Sequence, residues 1–190
     1  SAHYMMGGIR TDANGAAVGG EGDGSTAEGI AGLFAAGQAM GGLFGANRLG
    51  STSLTEGAVF GARAGRAAAE LARNATAGID DTAFADSIAA TRRRFGQNGK
   101  LAAATLKLDL QRESWDNIGP VRTAERIARM DAILDGLDAS LDDVAIPDYP
   151  SWNQAFIEFL ELRNLVTVAR AVAVASRERD GSIGGHVRLD

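Results

Sequence analysis

The sequence predicts an α+β chain: a small glycine-rich β/α part over residues 1–78, followed by a C-terminal α-helical bundle over residues 79–190. Two observations carry this reading. Seventeen of the 25 glycines precede residue 66, so only short elements fit between turns there. Beyond Gly78 the composition shifts to Ala, Leu, Arg, Asp and Glu in helical periodicity, with breaks at Pro120, Pro147 and Pro150.

In the first part a strand is expected over Tyr4–Arg10, closed by the turn Asp12-Ala13-Asn14-Gly15, whose asparagine and glycine suit positive φ. The stretch from Gly19 to Gly29 has almost no large apolar group and is expected to be mobile. A second, buried strand is expected over the apolar run Gly32–Gly37. Thr52 or Ser53 then caps a helix reaching about Ala77. Gly57, Gly61 and Gly65 lie inside that helix, where each costs up to about 1 kcal/mol relative to alanine, which points to close packing on that face.

In the second part helices are expected near Asp81–Phe95, Lys100–Asp116, Val121–Leu137 and Ser151–Arg179. The last carries a broad apolar face from Trp152 and Phe156 through Phe159, Leu162 and Val166 to Val172, which reads as core. The triplet Arg92-Arg93-Arg94 reads as a solvated helix face.

Composition removes several function classes. A net charge of −5 leaves no electrostatic footprint for nucleic acid. With no cysteine there is no disulfide, no thiol nucleophile and no thiolate ligand for zinc or an iron–sulfur cluster. The most apolar stretch, Phe156 to Ala175, is interrupted by Glu158, Glu161, Arg163 and Arg170, so a direct membrane span is not expected. No leader-like segment opens the sequence, and the cytoplasm is the default location.

The most informative stretch is Gly45-Ala46-Asn47-Arg48-Leu49-Gly50-Ser51-Thr52-Ser53-Leu54. It sets an arginine in a glycine-lined bend just before a helix start. A helix N-terminus carries unpaired N–H groups and about half a positive charge, so a nearby guanidinium is repelled unless an anion lies between them. A dicarboxylate, or a reduced flavin, is such an anion; the alternative is an arginine that only satisfies loop carbonyls. His3, ahead of Tyr4 and the paired Gly7-Gly8, is open between a ligand contact and an ordinary hydrogen-bonded histidine.

Three blocks, His3-Tyr4-Met5-Met6-Gly7-Gly8-Ile9, Gly32-Leu33-Phe34-Ala35-Ala36-Gly37 and Gly45 to Leu54, resemble in order and spacing the C-terminal half of the flavoprotein subunit of succinate dehydrogenase and fumarate reductase, a family that includes L-aspartate oxidase. The similarity continues through Val59-Phe60-Gly61, Gly119-Pro120-Val121-Arg122-Thr123, Glu161 to Leu165 and the tail Ser182 to Asp190. The resemblance implies that residues 1–78 are the C-terminal portion of an FAD-binding and substrate domain, and that 79–190 are the family's helical bundle. It implies FAD as cofactor, a dicarboxylate held by His3 and Arg48, and flavin contacts from Gln38, Ser53 and Leu54, with no catalytic residue in this stretch. An iron–sulfur partner subunit, and through it a peripheral place on the inner membrane face, are implied too.

Departures from the family pattern are Phe44, where a histidine is common, Gln38, where a glutamate is usual, and Gly181 and Ile183 in the tail. They leave an L-aspartate oxidase-type enzyme as the alternative, beside a purely helical subunit-interaction module. The family's Gly-x-Gly-x-x-Gly fingerprint and capping domain do not occur in these 190 residues. The expectation is therefore a C-terminal fragment of a longer flavoprotein, inactive and unable to retain FAD when alone.

Overall fold

The computed structural model describes residues 4–19, 29–75, 82 and 84–190. The chain forms two compact units, Ser1–Gly78 and Ile79–Asp190.

In the first unit, strands β1 (Ile9–Arg10) and β2 (Met40–Gly41) pair in parallel, Ile9 opposite Met40 and Arg10 opposite Gly41. The expected strand from Tyr4 is shortened to its last two residues because Gly7 and Gly8 take φ of 98° and 150°. Gly8 has a packing reason as well: a Cβ there would sit 2.4 Å from the Ala39 carbonyl oxygen. The turn after β1 forms as an Asx turn, with the Asp12 carboxylate accepting from the N–H groups of Asn14 and Ala16. Gly15 alone carries the positive φ, 79°, and its Cα faces Ala64 so closely that a Cβ would lie 2.7 Å from the alanine's.

The run Gly32–Gly37 is not a strand. Phe34 makes a single bridge with Ala16, Gly37 adopts φ 65°, and a 3-10 turn over Gly37–Ala39 leads into β2. Of the expected loop from Gly19 to Gly29, residues 20–28 lie outside the described residues. Helix α1 runs Thr52–Asn74, and neither Thr52 nor Ser53 caps it. Ser51 occupies the cap position at φ 65° and its side chain makes no capping hydrogen bond, while the Thr52 hydroxyl donates back to the Leu49 carbonyl at 2.8 Å. Around Gly57, Gly61 and Gly65 there is open space among the described residues, so the close packing expected there is found at Gly15 and Ala64 instead.

The second unit is the expected bundle: α2 (Ala85–Arg92), α3 (Ala103–Ile118), α4 (Ala124–Ser140) and α5 (Gln154–Arg177). The α3, α4 and α5 helices pack against one another. Buried positions recur at three- and four-residue steps, Ile127, Met130, Leu134 and Leu137 on α4 and Phe159, Leu162, Val166, Ala169 and Ala173 on α5, so each helix turns one stripe inward. Helix α5 starts three residues later than expected because Asn153 caps it, accepting from the Phe156 N–H at 3.0 Å and donating to the Pro147 and Tyr149 carbonyls. Trp152 falls before that cap at φ 57° and is 98% exposed; it belongs to no core face. Arg94 also departs from the expected solvated triplet. It lies beyond the end of α2, pairs with Asp142 at 2.7 Å and places its guanidinium 5.0 Å from the Phe159 ring centre.

Two short strands close this unit. Gly119-Pro120 ends α3, and the expected helix start at Val121 is instead strand β3 (Val121–Arg122), parallel to β4 (Val187–Arg188). Arg122 donates to the carbonyls of Ile118 and Gly119, where a cation complements the end of α3, and to His186 Nδ1 at 2.5 Å. His186 Nε2 therefore carries the proton and donates to the Arg179 carbonyl. Asp190 accepts from the Ala124 N–H at the start of α4.

Burial first, and then the Arg122 cation, hold His186 below its ordinary pKa of 6.5. Arg179 and Arg188 push the same way, against a backbone hydrogen bond. A histidine depressed on folding contributes stability that is complete above 6.5, its unfolded value, and is lost as pH falls through its lower folded value. The thermal midpoint of the helical unit is therefore expected to drop as pH falls from about 7 to about 5. His186→Gln should flatten that dependence, and an equally steep profile in the variant would contradict the assignment.

Candidate functional site

The site-forming elements of the first unit are the loop between β2 and α1, the segment before β1, and the first two turns of α1. Gly42 and Gly45 take φ of 98° and 56°, which folds the loop back before Arg48. Asn47 accepts from the Arg48 N–H through its side-chain oxygen at 2.9 Å. The half-buried Arg48 side chain donates from Nη1 to the Leu49 carbonyl at 3.3 Å, and its guanidinium carbon stands 4.9 Å from the centre of the Tyr4 ring. Tyr4 in turn meets Phe44 edge to face, with centroids 5.7 Å apart.

Against the Tyr4 hydroxyl lies Glu56, at the start of the second turn of α1 and only 3% exposed. Its Oε2 accepts from the Tyr4 hydroxyl at 2.9 Å, and its Oε1 has no hydrogen-bond partner among the described residues. Burial, then the hydrogen bond and charge of Glu56, raise the Tyr4 phenol above its ordinary value, while the Arg48 cation pulls it down. A cleft of about 460 Å³ opens beside these groups, lined by Leu43, Phe44, Asn47, Thr52, Glu56 and Phe60 among others.

Of the residues singled out in the sequence, Arg48 stands at the mouth of α1, where Ser53 and Leu54 form the first turn. Ser51 provides no side-chain cap and no acid lies in that turn, so the tip of α1 keeps its partial positive charge. Leu54 is 86% exposed and Ser53 half-buried. Gln38 is exposed on the 3-10 turn that packs against α1. His3 lies outside the described residues, though its neighbour Tyr4 supports the arginine. Tyr4 and Glu56 themselves were missed. The signal available was a lone acid, four residues after Thr52, on a helix opening otherwise without charge.

Residues 1–54 match the family described as FAD binding domain, and residues 107–190 match fumarate reductase flavoprotein C-term. The chain belongs to the succinate dehydrogenase and fumarate reductase flavoprotein family. Within that family it is 36% identical to the 8-methylmenaquinol:fumarate reductase flavoprotein subunit of Wolinella succinogenes, a match covering all of this chain and 30% of the relative. It is 32% identical to an L-aspartate oxidase of Streptomyces coelicolor, again over all of this chain and 30% of the relative. Among solved structures, an E. coli quinol fumarate reductase FrdA variant superposes with a TM-score of 0.87 at 34% identity, covering 100% of this chain and 32% of that one. The chain thus spans about a third of the length of the relatives it matches. Short parallel strands of an FAD-binding portion, followed by a helical bundle, are the family's architecture in this chain. Family membership makes FAD the implied cofactor. The residues present fit it: a helix tip with no side-chain cap and no acid in its first turn is suited to an electron-rich heterocycle that gains negative charge on reduction. Among the described residues no helix is long and apolar enough to cross a membrane, and no group of acids or histidines could hold a metal ion.

Proposed function

We propose that this chain forms the dicarboxylate-facing and flavin-facing part of an FAD-dependent oxidoreductase of succinate dehydrogenase or fumarate reductase type. The observation that carries the reading is the Arg48 guanidinium, stacked on Tyr4 at 4.9 Å beside the uncapped tip of α1. FAD, where bound, supplies hydride transfer to or from the substrate carbon. Arg48 grips a planar carboxylate through paired N–H donors, with His3 as its companion, and so orients the reacting carbons. The Ser53 and Leu54 N–H groups face the isoalloxazine and stabilise charge on it, and Gln38 contacts the cofactor from the neighbouring turn.

In this reading, activity requires the nucleotide-binding and capping parts for which the greater length of the relatives leaves room, and residues 1–190 alone neither retain FAD nor turn over substrate. The Wolinella relative is by name a subunit. An iron–sulfur partner subunit, and with it a peripheral place at a membrane, extends that description to this protein. The L-aspartate oxidase relative supports a second reading, in which the same clamp takes L-aspartate. Turnover of succinate against L-aspartate by the complete flavoprotein separates the two.

The test of the clamp is Arg48→Lys in that complete protein. A point charge replaces a planar fork, and kcat/KM for the dicarboxylate is expected to fall roughly 10²-fold, because the substrate is held but not oriented. Unchanged kinetics would remove Arg48 from the site.

A further inference from the structure

Glu56 is a buried acid in a position where bulk alone could be supplied by leucine or methionine. One carboxylate oxygen is used, by the Tyr4 hydroxyl at 2.9 Å, and the other has no partner among the described residues. A buried acceptor left unmade destabilises its surroundings, so burial of this carboxylate calls for a reason other than the stability of the unit. That reason is found one step along the stack. The phenol held by Glu56 belongs to the ring that carries Arg48, and a hydroxyl donating to a carboxylate makes its ring more electron-rich and a better seat for a guanidinium. Phe44 abuts the same ring edge to face, so Tyr4 is held by its hydroxyl at one point and by aromatic packing at another.

We propose that Glu56 is a positioning residue: through the Tyr4 hydroxyl it locks the ring on which the Arg48 guanidinium rests, and thereby sets the orientation of the carboxylate clamp. The inference rests on the reading of Arg48 as that clamp. It is separable from simple electrostatics by sign. Glu56 is an acid near an anion site, so its charge alone opposes anion binding, and removing it would tighten the complex. A positioning role requires the opposite result once the hydrogen bond is lost.

The experiment uses the complete FAD-loaded flavoprotein and malonate as a non-reacting dicarboxylate, with the dissociation constant read from the flavin difference spectrum. Glu56→Leu and Tyr4→Phe are each expected to weaken malonate roughly tenfold, the scale of a clamp turned away from its best geometry. The double variant should be no weaker than either single one, since both remove the same hydrogen bond. Glu56→Gln, which keeps an acceptor for the phenol, should rescue most of the affinity. Tighter binding in Glu56→Leu, or additive losses in the double variant, would overturn the proposal. So would malonate binding unchanged in Tyr4→Phe, the variant that keeps the ring and serves if Glu56→Leu fails to fold. Arg48→Lys is carried alongside. If it binds malonate as the parent does, the clamp reading itself falls; if only the Glu56 and Tyr4 variants bind normally, the clamp stands and the positioning role does not.

Discussion

Replacing Phe159 by alanine is expected to remove about 3–5 kcal/mol from the stability of the helical unit, the largest loss predicted for any single side chain here. Phe159 is 2% exposed and opens the inward stripe of α5, in the cluster that joins α3, α4 and α5. Its ring also seats the Arg94 guanidinium at 5.0 Å, and Arg94 ties the segment after α2 to Asp142 and the Leu141 carbonyl. Truncation therefore opens a cavity in a close-packed core and removes the platform under a cation. Urea unfolding followed by far-UV circular dichroism measures this directly. The midpoint should fall with little change in slope. Trp152→Ala is the matched control, because that larger ring is 98% exposed and its removal should leave the midpoint where it was. A loss below about 1 kcal/mol in the phenylalanine variant would show that the three helices do not share one core.

Arg122→Met should cost about 2–3 kcal/mol and release His186 at the same time. Methionine keeps the apolar stem but none of the donors, so the Ile118 and Gly119 carbonyls at the end of α3 and the His186 Nδ1 lose their partner together. The cation that helps depress His186 also disappears, and the histidine pKa should move up toward 6.5, although burial, the larger cause, still holds it below. The chain has two histidines, which makes assignment by NMR titration straightforward. A His186 pKa unmoved in the variant would mean that the 2.5 Å contact carries no electrostatic weight.

The sequence was most legible where one physical signal dominated. Helical periodicity beyond Gly78 and the apolar face of α5 gave the bundle, and Gly119-Pro120 gave one of its breaks, because a 3.6-residue period and a proline both act locally. Boundaries failed where side chains competed with propensity. Asn153 rather than Ser151 begins α5, since its amide also satisfies two carbonyls, and that in turn expelled Trp152 from the core. The strands expected around Tyr4 and Leu33 shrink to a two-residue ladder and a single bridge because paired and flanking glycines there take positive φ. That Arg48 lies just ahead of a helix was readable from loop chemistry, although the cap itself falls one residue earlier than expected, on Ser51. Tyr4 and Glu56 were not, because 52 positions separate them and nothing in either neighbourhood announces the other. The tail motif from Ser182 to Asp190 was visible only as a resemblance; its physical work, closing a parallel ladder with residues 121–122, depends on a long-range pairing.

That pairing orders events during synthesis. Helices α3, α4 and α5 have their local signals in place as soon as each has been translated, and their facing stripes can collapse together. Arg122, which caps the carbonyl end of α3, and the amide end of α4, however, receive His186 and Asp190 only after another 60 or so residues have emerged, as the 64- and 66-residue separations of these contacts require. A nascent helical unit is thus held open at one corner while α5 is made, and becomes a closed body only when the last ladder is zipped.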